Sequence, residues 1–202
     1  MSLPLEIVAQ PFNVYIAPVG ESFPDVDETP GGNWVLIGTS GNRNYTEDGV
    51  TVQHEQTVEE FRSLGSTGPM KVFRTSENLI ISFTLADLTL ENYKYALNFN
   101  TVSDTAAGSG TPGHRDIDLY LGPDDVAQRA LLVRGMNASP YLANTHVQYQ
   151  VPVVFEVGSK EIVSQKGTPI GLALEFRAID DPIAASASKR FVILVAQDAA
   201  AL

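Results

Sequence analysis

The sequence predicts a mainly β fold: an antiparallel β-sandwich or barrel flanked by one α-helix, with a long β-hairpin arm. Three observations predict it. Apolar and polar residues alternate with a period of two along most of the chain, the pattern of half-buried strands. Only one stretch carries helical spacing. And two strand-like stretches flank the turn SLGSTGPM, each running well past the five or six residues of a typical strand. A chain of 202 residues suits a single domain, read as residues 1–202 with a hairpin arm at about 50–85.

In chain order, 12–19 reads as a first strand and 34–39 as a second. Between them ESFPDVDETPGG is a loop by its prolines, glycines and acids. A long polar strand covers 50–62, with Val50, Val52 and Val58 on one side and Thr51, Gln53, Glu55, Thr57 and Glu59 on the other. Its expected partner is 73–85, where Leu79, Ile81, Phe83 and Leu85 share a face. The helix falls at 88–98: Leu90, Tyr93 and Leu97 form its stripe, Asp87 or Thr89 caps its start, and Asn98 ends it. A small-residue loop spans 101–114, followed by short strands at 117–121 and 130–134. Clean alternation then marks strands from Val147 to Val157 and from Ile170 to Phe176, with the polar connection GSKEIVSQKG between them. Residues 191–195 form the last strand.

The composition narrows the function. Apolar residues make up 44% of the chain, enough for a core, and the net charge is −11. An acidic chain is a poor candidate for gripping nucleic acid through its phosphates. The absence of cysteine excludes disulfides, thiolate metal sites and a cysteine nucleophile. The opening MSLPLEIVAQPF has neither the basic segment nor the apolar run of a secretory leader, and no run approaches the ~18 apolar residues of a membrane helix. The glycine spacing of GSGTPG lacks the preceding strand and following helix that a dinucleotide site needs. His54, His114 and His146 stand at no metal-ligand spacing, and Asp124-Asp125 and Asp180-Asp181, beside prolines, read as turn residues. The expectation is therefore no enzyme, no metal and no cofactor.

The hairpin is the anomaly. Around its glycine-rich turn it keeps Phe61, Leu64, Met70 and Phe73, apolar groups that a solvent-facing tip has no reason to hold. Arg62, Lys71 and Arg74 stand beside them. Long uncovered strands invite pairing with another chain. An acidic protein that self-associates also needs local positive charge to face its own acids. These seven residues are the candidate contact set of an assembly arm; a mobile, solvated hairpin is the plainer alternative.

The stretch GVTVQHEQTVEEFRSLGSTGPMKVFRTSENLIISFTLADLTLENYKYALN resembles the major tail tube proteins of long-tailed bacteriophages, a family related to the inner tubes of contractile injection systems. The resemblance is carried by Phe73-Arg74-Thr75, Glu77, the run from Leu85 to Glu91 and Ala96-Leu97-Asn98. The N-terminal FNVYIAPVGESFPDVDE and WVLIGTSG and the late KGTPIGLALEF and RFVILVAQDA extend it over nearly the whole chain.

That resemblance implies a structural protein of the virion, made in the host bacterial cytoplasm. Hexameric rings would stack into a hollow tube, the hairpin loop reaching the adjacent ring. Its partners would be other copies of itself, other tail proteins at the tube ends, and tape-measure protein and DNA passing through the lumen without specific binding. The resemblance places the polar strand in the inner wall, so Gln53, Glu55, Thr57 and Glu59 are the candidate lumen-facing residues. Two rivals remain: a soluble β-sandwich binding module, and another ring component of the tail such as a terminator or baseplate ring.

Overall fold

The computed structural model describes residues 7–120 and 125–199. The fold is mainly antiparallel β. The strands are β1 (Phe12–Pro18), β2 (Val35–Leu36), β3 (Tyr45–Phe61), β4 (Lys71–Leu85), β5 (Val102–Thr105), β6 (His114–Ile117), β7 (Arg129–Gly135), β8 (Val147–Glu156), β9 (Leu172–Ala178) and β10 (Ile193–Ala196). Among the described residues one α-helix, α1 (Leu90–Tyr93), is present.

Eight strands form one sheet in the order β2-β1-β7-β8-β9-β4-β3, with β10 attached to β8. One edge of β8 pairs with β7; its other edge pairs first with β10 and then with β9. The sheet curls until its two ends meet. Tyr45, at the start of β3, donates its hydroxyl hydrogen to the Ile37 carbonyl (3.0 Å) and accepts from the Val14 N–H of β1 (3.2 Å). Inside the curl lies the core that the alternation predicts. Leu79, Ile81, Phe83 and Leu85 of β4 pack with Val14, Ile16, Leu131, Val133, Val151, Leu174 and Phe176. Burial of these faces is the main driving force for the fold.

The convex side carries a second, smaller core. Trp34 packs on Ala17, Ala130 and Leu132, with Phe23 beside it, and its indole N–H donates to the Ser22 carbonyl (2.9 Å). This holds the loop between β1 and β2 against the sheet. Arg134 and Gln148, directly paired on β7 and β8, complete the clamp. Arg134 donates to the Asp25 carbonyl (2.8 Å), the Glu28 carbonyl and the Gln148 side chain, and Gln148 donates to the Pro24 carbonyl (2.9 Å). Both side chains are buried, and burial lowers the pKa of the guanidinium.

Four local expectations change. The strand expected at 34–39 shrinks to Val35–Leu36, because Trp34 turns into the small core and Gly38, at φ +84°, bends the chain into a 3-10 turn over Gly41–Asn44. The expected loop at 101–114 begins and ends in strands: β5 and β6 pair with each other, and only their connection is irregular. The strand expected at 117–121 lies earlier, as β6; its last residue, Leu121, falls outside the described residues, as do Pro123 and Asp124.

The helix is a single α turn continued by a 3-10 turn over Lys94–Ala96. Thr89 caps it, its hydroxyl accepting from the Asn92 N–H. The tighter 3-10 winding brings Asn92, Tyr95, Ala96 and Leu97 inward and leaves Leu90 and Tyr93 half-buried, so the inward stripe is displaced from the one predicted. Asn92 turns inward to bond the Gly38 N–H and Asp87, which ties this segment to the sheet end. Asn98 and Phe99, both at positive φ, end the segment.

Candidate assembly arm and its surfaces

The outer parts of β3 and β4 leave the body of the protein. Residues 53–61 and 71–77 are all exposed. Their pairing is continuous to Phe61↔Lys71, and the Met70 N–H donates to the Phe61 carbonyl (2.8 Å) to begin the turn. At ~3.3 Å per residue the ladder projects about 25 Å beyond the last core residues.

A β-bulge sets which side chains share a face. Thr57 pairs with Ser76 and Val58 with Arg74, so Thr75 is the extra residue. Its hydroxyl donates to the Thr57 carbonyl (3.3 Å). Simple alternation would leave Phe73 on the face of Leu79 and Ile81. The bulge moves it to the opposite face, opposite Glu59. One face of the arm therefore reads Gln53, Glu55, Thr57, Glu59 and Phe61, with Phe73 and Lys71 across from it. The Lys71 ammonium lies 5.0 Å from the Phe73 ring centroid. The other face reads His54, Gln56, Val58 and Glu60, with Glu77, Arg74 and Val72 across from it.

The candidate contact residues are thus divided. Phe61, Lys71 and Phe73 share one face, Arg74 stands on the other, and Arg62, Leu64 and Met70 belong to the tip. Val58 and Val72, absent from the expected set, make the second face apolar near the tip; both are about half exposed. Leu64 is fully exposed, and Phe61 and Met70 are each more than half exposed. Nearer the body, charge holds the second face. The His54 ring nitrogen lies 2.7 Å from Glu77, and Arg74 donates to the other Glu77 oxygen at 3.1 Å. The hydrogen bond from His54, aided by the Arg74 charge, lowers the Glu77 pKa. Arg62 pairs with Glu60 at 2.7 Å.

Gln53, Glu55, Thr57 and Glu59 share a face and are exposed, with Gln53 donating to Glu55 at 2.7 Å. The same side of the sheet continues through Asn78 and Ser82 of β4 to Glu175 and Arg177 of β9. The result is a broad polar surface beside the edge strand β3.

A second feature lies at the other end of the sheet. A cavity of about 640 Å³ opens between the segment after α1, residues 125–127 and the chain leaving β8. Tyr95, Leu97, Phe99, Leu119, Val126 and Val157 supply its apolar lining. Asn98 joins two of its walls, accepting from the Ala127 N–H (2.5 Å) and donating to the Asp125 carbonyl (3.2 Å). Nothing in the sequence marked this cavity, because its lining residues come from four separate segments.

No protein-family model matches the chain, and no curated protein matches it. A chain from the cryo-EM structure of the anti-feeding prophage (AFP) baseplate, 6-fold symmetrised, aligns with 97% of this chain and 98% of its own length, at 11% identity and a TM-score of 0.49. A likeness of that size assigns neither family nor function.

Proposed function

We propose that this protein is a non-enzymatic structural component of a phage tail, and that it self-assembles into stacked hexameric rings forming a hollow tube that conducts DNA. The observation that carries the reading is the arm: a continuous β-ladder uncovered on both faces, with Val58, Phe61, Leu64, Met70, Val72 and Phe73 exposed toward its end. Exposed apolar groups concentrated on a projecting element mark an association surface. The sequence resemblance to major tail tube proteins supplies the kind of assembly. β3 also leaves one long backbone edge unpaired over 17 residues, which closure of strands from neighbouring copies into a barrel would satisfy.

In such a tube the polar face through Gln53, Glu55, Thr57 and Glu59 lines the lumen. Fixed negative charge there repels phosphate, so DNA and tape-measure protein pass without specific binding, whereas a basic wall would hold each phosphate in turn. Tail proteins of other kinds meet the tube at its ends, and the site of action is the virion.

Negative-stain microscopy of the purified protein over a concentration series tests the reading. Tubes are the expected result. Closed single rings indicate a terminator or baseplate ring instead, and monomers at high concentration indicate a binding module and overturn the proposal.

A further inference from the structure

The arm tip and the 640 Å³ cavity stand at opposite ends of the molecule. Strand register fixes this. β4 runs from the tip at Lys71 to Leu85, and Leu85 pairs with Leu172 while Ile80 pairs with Arg177, so increasing numbers on β9 point toward the tip. Ala178 pairs with Val154 and Phe176 with Glu156, so increasing numbers on β8 point away from it. The cavity is built from residues that follow β4, precede β7 and follow β8, all at the end away from the tip.

The two ends are complementary. Residues 61–73 contain Arg62 and Lys71 and no acid, in a chain whose net charge is −11, although Glu60 just before them pairs with Arg62. Leu64 projects from the tip fully exposed, with Met70 close behind it in the turn. The cavity offers an apolar floor of Leu97, Phe99 and Val157, and at its border Asp125 and the Glu156–Lys160 ion pair set two acids against one base. Its walls are braced, since Asn98 bonds residues 125 and 127, Phe99 packs edge-on against Tyr95, and the Arg129 guanidinium lies 4.1 Å from the Phe99 ring centroid. A receiving site that is already formed costs little to organise on binding.

We infer that the cavity is the receptor for the arm tip of a second copy of this chain, with Leu64 and Met70 entering it and Arg62 and Lys71 meeting its acidic border. Because donor and acceptor sit at opposite ends, the contact is heterologous and can repeat from copy to copy along the direction of the arm. The inference rests on the self-assembly reading and names the contact that stacks one layer on the next.

The chain has no cysteine, so introduced thiols report contacts without background. Protein carrying Leu64→Cys is mixed with protein carrying Val126→Cys under assembly conditions and oxidised. A covalent dimer is expected from the mixture and in far smaller amount from either variant alone. Leu64→Asp, whose change lies on the exposed tip outside the folded core, is expected to weaken layer stacking tenfold or more while leaving the unfolding midpoint unchanged, because a leucine that the contact would bury is replaced by a charge facing Asp125. Layers that stack normally with no Leu64–Val126 crosslink, or with Leu64→Asp, overturn the receptor assignment and leave self-assembly standing. Wild-type protein that stays monomeric overturns both.

Discussion

Single residues in this protein do two kinds of work, filling the curled sheet and pinning segments to it. Ile81 and Phe176, enclosed in the main core, are the plainest of the first kind, and Leu97 fills a separate place beside the cavity. It is buried at the close of the 3-10 turn, so Leu97→Ala should lower stability by about 2–5 kcal/mol, read as a shift of the denaturation midpoint. Arg134 is of the second kind. It binds two loop carbonyls and Gln148, and Arg134→Met should remove about 1.5–3 kcal/mol and expose the loop at 20–33 to protease. Intact protein after the same digestion would show that the small core around Trp34 holds the loop unaided. Tyr45 joins the two ends of the sheet through its hydroxyl, and burial raises its pKa far above the ordinary value of 10.0. Tyr95 and Tyr15 are raised by the same cause. A raised folded pKa means the neutral phenol is favoured in the native state. Its contribution is full below the unfolded value of about 10 and is lost as pH rises above it. Stability should therefore fall steeply above pH about 10, and more shallowly in Tyr45→Phe, whose lower starting point reflects the Ile37 carbonyl left unpaired.

At the scale of elements, the hairpin is two structures end to end. Its inner half belongs to the core sheet, held by β9 on β4 and by the packing of Leu79 to Leu85. Its outer half has only its own ladder and the bulge at Thr75. Because nothing in the body depends on residues 63–69, replacing them with a two-residue Asn-Gly turn should leave the thermal midpoint unchanged while abolishing assembly. Wild-type tubes from that variant would show that the tip makes no essential contact. The bulge makes a separate prediction. Deleting Thr75 removes the bulge yet keeps the pairs beyond it, Val58 with Arg74 and Glu59 with Phe73, so Phe73 stays on the face of Phe61 and assembly should survive. One residue inserted between Thr57 and Val58 would instead pair with Thr75 and turn the outer ladder over relative to the body, and assembly should then be lost although every apolar side chain remains.

Across the whole molecule, charge is distributed with direction. The chain is strongly acidic, yet the arm tip is locally basic, and the face through Glu55 and Glu59 is left open beside the edge strand. Reversing both charges with Glu55→Lys and Glu59→Lys should spare assembly, since the contact inferred for the tip is made by Leu64 and Met70, although Glu59 stands opposite Phe73. It should slow DNA release from virions, because each ring would then offer phosphates a line of lysines. High salt should restore release, as expected for contacts that displace counterions. Normal release from tubes containing the double variant would move this face to the outside of the tube.

The sequence by itself determined the strands and their inward faces, because burial on one side of a sheet imposes a period of two that needs no knowledge of neighbours. The runs from Ile170 to Phe176 and from Leu79 to Leu85 were legible that way, whereas the run from Val147 was legible only as far as Val151, because the register shift between β7 and β8 brings Val154 rather than Phe155 into the core. It also marked the hairpin as unusually long and apolar near its tip. The tertiary structure decided what alternation does not encode. One inserted residue, Thr75, changed the side on which Phe73 stands, and an irregular pairing of this kind leaves no mark in hydrophobic periodicity. The outward Arg134 and Gln148 became buried because a loop distant in sequence folds over them. The helix kept to one α turn where the spacing allowed nearly three, since the backbone tightens into a 3-10 turn over Lys94–Ala96 and leaves helical conformation at Asn98 and Phe99, both at positive φ. The cavity opposite the arm exists only because the curl of the sheet gathers the ends of β4, β7 and β8 at one place.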